Sequence, residues 1–131
     1  MADRNRLFVV ALVLRDAIAA GAGKAIWHVQ TRCRILAAEL SLVTTGTGAG
    51  NTDVDVNKNG VSILTAPGLR IASAATAPAA VRANATAGVI GEPSGVPLEP
   101  GDSVTADIDA VPATTVSAGG TVYLLCAAID I

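Results

Sequence analysis

Residues 53–64, DVDVNKNGVSIL, place an Asn-Gly pair between two runs in which apolar and polar residues alternate. Alternation with a period of two is typical of a β-strand with one buried face, and Asn-Gly is the strongest short signal for a tight hairpin. Asn59 and Gly60 therefore predict a two-residue type I′ turn, with Lys58 opposite Val61 and Val56 opposite Ile63. This register predicts two faces: Val54, Val56, Val61 and Ile63 on one, and Asp53, Asp55, Asn57 and Ser62 on the other.

The same stretch also resembles the start of an EF-hand calcium loop, since Asp55, Asn57, Asn59 and Gly60 match its opening positions. The twelfth position of such a loop requires a bidentate Glu, and here it is Ala66. We therefore expect no EF-hand and no metal site. The pairs Asp53/Asp55 and Asp107/Asp109 are interpreted as solvent-facing residues of alternating strands, and a different kind of cation site stays open as the alternative.

Further alternating runs indicate strands along most of the chain. Residues 24–35 alternate with Ala25, Trp27 and Val29 inward, and a shift of phase near residues 36–39 predicts a β-bulge. Residues 103–111 alternate again, whereas residues 73–87 fit a short helix or a loop and strand equally well. About seven or eight short strands separated by turn signals predict an all-β fold, an antiparallel β-sandwich or barrel.

The first 23 residues are predicted as an N-terminal arm, or a first strand followed by a loop, and residues 24–131 as the β-sandwich domain. Arg4 and Arg6 before the apolar run LFVVALVL resemble a secretion signal, but the run is only eight residues long and Arg15-Asp16 ends it. We therefore do not expect secretion. No stretch approaches the ~20 apolar residues of a membrane span, so no membrane partner is expected.

The composition favours a structural role. Hydrophobic residues make up 51% of the 131 residues, yet only three residues are aromatic and the net charge is −2. Without a basic stripe, nucleic-acid binding is not expected. A weakly charged surface with many small apolar residues favours an obligate oligomer or a subunit docked on a larger assembly.

No combination of residues predicts catalysis or a cofactor. His28 is the single histidine, and five positions along a strand would put it and Cys33 on opposite faces. The chain has no Gly-x-Ser-x-Gly motif, and the glycine-rich TGTGAGN (45–51) lacks the lysine of a phosphate loop. Cys33 and Cys126 are predicted as buried thiols, with a disulfide between them as the alternative.

Two groups of residues are candidates for an interface. Lys24, Arg32 and Arg34 share a predicted outward face, which is either a solvated edge or a contact with an acidic partner. The last run, TVYLLCAAIDI (121–131), is apolar on both faces. This pattern predicts a strand covered on one side by the core and on the other by a partner subunit or the N-terminal arm, with Tyr123 and Leu125 as interface candidates.

Across residues 24–129 the segments AIWHVQTRCRI, VDVNKNGVSIL, GDSVTADIDAV and TVYLLC resemble the head-decoration (cement) and minor capsid β-sandwich proteins of tailed bacteriophages, and related fibre modules. The resemblance implies a jelly-roll-like sandwich that binds the major capsid protein on the outside of the virion, commonly as a homotrimer. Such a protein stays in the host cytoplasm until assembly and has no catalytic residues. The alternative function is a receptor- or glycan-binding module of a fibre or spike, which the scarcity of aromatic residues disfavours.

Overall fold

The structure is a computed structural model that describes residues 6–17, 20–65, 68–73, 75–84 and 95–128. All regular secondary structure within these residues is β-strand. The ten strands are β1 (Leu7–Ala17), β2 (Gly21–His28), β3 (Cys33–Leu42), β4 (Asn51–Lys58), β5 (Val61–Ser62), β6 (Leu69–Ala72), β7 (Ala79–Asn84), β8 (Val96–Leu98), β9 (Ser103–Ala110) and β10 (Ala118–Ala128).

The strands form two antiparallel sheets that pack against each other. Sheet I has the order β1-β10-β3-β7, with β8 pairing with β3 beyond the end of β7, and sheet II has the order β2-β9-β4, with β5 and β6 both on the far side of β4. β1 pairs with β10, β2 with β9 and β3 with β8, whereas β4 pairs with β9 on one side and with β5 and β6 on the other. The predicted antiparallel β-sandwich is confirmed, with ten strands among the described residues instead of about seven or eight.

The core lies between the two sheets and is built from the inward residue of each alternating pair. Sheet I contributes Leu12, Ile35, Leu40, Val122 and Leu124, and sheet II contributes Val54, Val56, Val104, Ala106 and Ile108. Because the side chains are mostly branched and aliphatic, they suit the pleated inner faces of two stacked sheets.

The predicted hairpin is present between β4 and β5. Asn59 and Gly60 have φ angles of 50° and 86°, and Lys58 pairs with Val61. The Ile63 amide donates to the Val56 carbonyl over 2.9 Å, as the predicted register requires. Val61 has the predicted register but is 69% exposed, because the short strand β5 lies at the edge of sheet II, beside the turn.

The predicted strand over residues 24–35 is wrong, because it is two strands in different sheets. β2 ends at His28 in sheet II, and β3 begins at Cys33 in sheet I. The predicted bulge is confirmed: β3 and β10 pair as Ile35–Cys126 and then as Ala37–Leu125, which leaves Leu36 as the extra residue.

Strand β2 begins before the predicted strand 24–35, β8 lies where no strand was predicted, and β7 settles which of two predicted structures is present. β2 begins at Gly21, inside the first 23 residues that were predicted as an arm or as a strand followed by a loop, and β8 lies in the proline-rich stretch EPSGVPLEPGD (92–102). In the segment 73–87 the described regular structure is the strand β7, not a helix. Residues 1–5, 18–19, 66–67, 74, 85–94 and 129–131 lie outside the described residues, including Arg4, Ala66 and the end of the last predicted strand.

Candidate interaction surface

The outer face of sheet I, turned away from the core, carries mainly apolar side chains. Register places Val9, Leu125 and Ala37 in one row across β1, β10 and β3. The adjacent row runs from Tyr123 through Glu39 on β3 to Arg82 on β7. Two neighbouring rows therefore combine an apolar floor with one acidic and one basic side chain at the β7 end.

These rows enclose an open groove of about 340 Å³, which we call the apolar groove and which is lined by Val9, Ala37, Ala38, Glu39, Arg82, Tyr123 and Leu125. Tyr123 is 40% exposed, whereas Ala37 is buried beneath its larger neighbours. A floor of small side chains between larger ones can accept an apolar side chain from a partner. Glu39 and Arg82 at the rim could orient that partner through polar contacts.

Arg34 lies on the same outer face, where β3 pairs with Ala127 of β10 and Pro97 of β8. Its Nε atom is buried and has no hydrogen-bond partner among the described residues. A buried guanidinium N–H without an acceptor is costly, and a carboxylate is the acceptor that fits it best. Because this atom is already enclosed by the chain, only the exposed part of the Arg34 side chain could meet an acidic group on a partner.

The other two basic candidates do not join this surface. Lys24 lies on β2, in sheet II, and its side chain is exposed. Arg32 follows β2 and forms a 2.8 Å ion pair with Glu99, with both side chains largely exposed. The prediction that Lys24, Arg32 and Arg34 share one face is wrong, because the chain crosses from sheet II to sheet I between His28 and Cys33.

The outer face of sheet II is polar and bonded to itself. Arg70 of β6 makes two 2.8 Å hydrogen bonds to Asp53 of β4, which is buried. Further bonds join other polar residues of this face: Asn57 to Asp107 (2.5 Å), Ser62 to Asp55 (2.7 Å), and the Gly23 amide to Asp107 (2.7 Å). Many polar groups of sheet II are thus bonded within the chain, and sheet I presents the apolar groove.

Several carboxylates of sheet II lie near Asp109. Within the described part of the chain, no group of three or more His, Cys, Asp or Glu side chains is arranged to hold a metal ion. Burial raises the pKa of Asp109, and the nearby charges of Asp55, Asp107 and Asp53 raise it further. The charges of its neighbours therefore oppose the ionisation of Asp109.

Replacing Asp109 by Asn is expected to raise the free energy of unfolding by about 0.3 kcal/mol at pH 7, a small value because the residue is exposed and screened. Since folding raises the pKa of Asp109, this carboxyl favours the folded state below its usual pKa of 3.8 and opposes folding once the pH exceeds the raised value. The gain should appear in urea unfolding at pH 7 and low salt, and it should vanish at pH 3 and shrink with added salt.

Asp102→Asn is the matched control, and it is expected to lower the free energy of unfolding at pH 7 where Asp109→Asn raises it. The Glu99 backbone N–H lowers the pKa of Asp102, and the Asn59 side chain and Lys58 lower it further. This carboxylate therefore stabilises the fold at neutral pH, and its contribution is lost as the pH falls toward its lowered pKa. If both variants shift stability in the same direction at pH 7, the assignment of the two environments is wrong.

His28 and Cys33, the pair considered for nucleophilic chemistry, lie in different environments. His28 is exposed at the end of β2, whereas Cys33 and Cys126 are fully buried in the core as free thiols. Burial, with a smaller effect from Cys33, raises the pKa of Cys126 to about 12, and burial also raises the pKa of Cys33. Both thiols are therefore protonated at neutral pH and serve as small core side chains.

Tyr123 and Leu125 are the predicted residues that line the apolar groove. Val9, Ala37, Glu39 and Arg82 were missed, because strand pairing brings them together over long sequence distances. One signal could have found Val9: the run LFVVALVL is apolar at both alternating sets of positions, as the last strand is. The described residues include no helix long and apolar enough to cross a membrane.

The fold and the groove can be compared with what is known of other proteins. No family model, curated protein or solved structure matches this chain. The likeness to phage decoration proteins therefore stays a prediction from four sequence segments. The evidence for function comes from the two outer faces of an antiparallel β-sandwich, one largely polar and the other carrying the apolar groove.

Proposed function

We propose that this protein is a structural subunit of a virion, which binds the outer surface of a tailed-phage capsid and stabilises the shell. The observation that carries the proposal is the apolar groove on the outer face of sheet I. In this proposal the major capsid protein is the partner. The subunit is made in the host cytoplasm and is carried on the capsid exterior as part of a homo-oligomer.

The contrast between the two faces supports a docking role. Many polar groups of sheet II are bonded to one another within the chain, so this face offers fewer free groups to a partner. Around the groove, Val9, Tyr123 and Leu125 keep apolar surface in contact with water. Such a patch with a polar rim is typical of a surface that another protein covers.

Arg34 and the groove together describe the partner's chemistry. The apolar floor favours one or two aliphatic or aromatic side chains of the shell, and the partly exposed Arg34 on the same face favours a carboxylate. A shell presents the same site many times, so a modest contact at each site would add up over the whole surface. The proposal includes no catalytic activity and no cofactor.

A jelly-roll-like sandwich is compatible with this function but does not carry it. Jelly rolls occur in viral capsid and lectin domains and in cupins, which have unrelated functions. A lectin-like fibre module is therefore the competing function, and it predicts binding to the host cell surface instead of the capsid.

Leu125→Asp is expected to weaken binding to capsids that lack the protein by at least about 30-fold, or ~2 kcal/mol, because it would bury a carboxylate in an apolar contact. Ile26→Asp is the matched control, since Ile26 is an exposed apolar residue on the opposite sheet and should change binding less than about twofold. Both variants should keep the wild-type melting temperature within a few degrees.

The measurement is co-sedimentation of each purified variant with such capsids and, in parallel, with host cells. Binding to capsids that Leu125→Asp removes and Ile26→Asp preserves supports the proposal. Equal binding by the two variants would rule out the apolar groove as the docking site, and binding to cells alone would favour the fibre module.

A further inference from the structure

The outer edge of β1 is an unprotected sheet edge. Along Leu7–Val13 this strand pairs in regular register with β10, and its other edge has no strand partner among the described residues. The sequence from Leu7 to Leu14 contains no charged residue, no proline and no glycine. Its outward side chains stay in contact with water: Leu7, Val9 and Val13 are 63%, 59% and 57% exposed.

The other edges of the two sheets carry features that discourage pairing. On the edge of sheet II, β2 contains Gly21, Gly23 and Lys24 and an irregular register, and on the opposite edge β5 and β6 have two and four residues. On the far edge of sheet I, β7 and β8 have six and three residues. Short strands, lysines and bulges are the usual means of preventing edge-to-edge association, and β1 lacks all of them up to Val13.

We propose that this edge is a self-association site, at which two copies of the chain pair antiparallel through β1 about a two-fold axis. A two-fold contact places the strand opposite a copy of itself. The contact therefore forms only if the side chains of the strand are complementary to those of an identical strand. The uncharged run Leu7–Leu14 meets this condition, because no like charges come together at any register within it. A charged partner strand would have to bring its charges against this uncharged run without an opposite charge to pair with.

Pairing in this way would join the two copies of sheet I into one continuous sheet. In an even register, outward residues lie opposite outward residues, so Leu7, Val9, Ala11 and Val13 would cover their counterparts. Val9 also lines the apolar groove, so the grooves of the two copies would lie on one surface. The inference goes beyond the proposed function, since it concerns the free protein and holds whether or not a capsid is the target.

A two-fold pair differs from the trimer that the resemblance implies. Sedimentation equilibrium of the full chain alone, at micromolar concentration, should give the mass of two copies. A mass of one copy or of three copies would overturn the inference. Because capsids are absent from this experiment, its failure would leave the docking test at Leu125 unaffected.

Cysteine cross-linking tests the contact itself. Single variants Leu7→Cys, Val9→Cys, Ala11→Cys and Val13→Cys are oxidised and compared with Ile26→Cys, an equally exposed position on sheet II. The native Cys33 and Cys126 are fully buried and should not interfere. Disulfide-linked dimers should form most at Val9 or Ala11, less at Leu7 and Val13, and not at Ile26. Equal yields at all five positions would indicate random collision and contradict the pairing.

Ala11→Lys provides a second test that does not depend on disulfide geometry. Because the pair is two-fold, this one change places two lysines close together at the centre of the contact, and the dimer dissociation constant should rise at least about tenfold. Ala11 is exposed, so the melting curve of the monomer should keep its cooperative shape. A dimer as stable as the wild type would overturn the inference.

Discussion

Replacing Leu124 by Ala is expected to lower the free energy of unfolding by about 2–5 kcal/mol, and the melting temperature by roughly 10 °C. Leu124 is fully buried, and its strand β10 lies between β1 and β3 in sheet I. Its register partners are Val10 on one side and the small Ala38 on the other. Because neighbouring side chains of this size cannot fill the space left by an isobutyl group, most of the cavity should remain.

Leu125→Ala is the control for this prediction, since it removes the same atoms from the next residue of the same strand. Leu125 points to the outer face and is only partly buried, so the loss should be less than about 1 kcal/mol. Urea unfolding of both variants at one protein concentration gives the comparison, because self-association would make stability depend on concentration. Equal losses would mean that β10 is buried on both faces in the free protein.

The signals that correctly predicted structure were local ones. Asn59 and Gly60 adopt the positive φ angles that a type I′ turn requires, and the alternation around them sets the register of β4. Alternation also located β9, whose Val104, Ala106 and Ile108 face the core. Each of these features depends on residues a few positions apart, and the sequence therefore contains enough information to predict it.

The crossing from β2 to β3 could not be predicted for a physical reason. Alternation reports which side chains face the core, and in a sandwich the core lies between the sheets. A chain that passes from sheet II to sheet I keeps its inward residues inward, so Trp27, Val29, Cys33 and Ile35 continue one pattern across the change. No Gly or Pro lies between His28 and Cys33 to mark it.

The candidate interaction surface was predicted in part for a related reason. An apolar residue on both faces of a strand is visible in the sequence, and this property identified Tyr123 and Leu125. The pairing of β10 with β1 and β3 brings Val9 and Ala37 beside them, and that pairing joins residues about 90 to 115 positions apart. Local patterns do not encode such a neighbourhood.

The exposure of the aspartates of sheet II also could not be predicted from local pattern. Alternation correctly placed Asp53 on the outer face, and the expectation was that it faces solvent. The structure instead buries Asp53 against Arg70, because β6 pairs with β4 and brings the guanidinium to it. The face of a residue follows from local pattern, whereas its exposure depends on which strand lies beside it.

Gly46→Ala is expected to lower the free energy of unfolding by about 3 kcal/mol or more, the sum of backbone strain and overpacking. Gly46 lies in the glycine-rich segment after β3 and has a φ of +79°. A Cβ there would meet the Thr115 carbonyl oxygen and lie 2.8 Å from Pro112 Cγ and 3.0 Å from the Ser117 amide nitrogen. Two of these three atoms belong to the backbone of the segment before β10 and cannot move aside cheaply.

Gly60→Ala separates the two causes. Gly60 has nearly the same φ, +86°, but an added Cβ would have no heavy atom within 4 Å. Its loss should therefore be the backbone strain alone, about 1–2 kcal/mol. Urea unfolding of the two variants should give a clearly larger loss for Gly46→Ala, and equal losses would contradict the close approach of the two loops.

The difference between these variants also explains the glycines of TTGTGAGN (44–51), which have the composition of a phosphate loop. Around Gly46 the segment bonds to residues 113–118: the Thr47 amide donates to the Thr115 carbonyl over 2.8 Å, and the Thr114 amide donates to the Thr47 carbonyl over 3.0 Å. Two backbones can approach this closely only where a side chain is missing. If Gly46→Ala costs more than Gly60→Ala by the expected margin, these glycines serve loop packing between the sheets, and ligand binding is not needed to explain them.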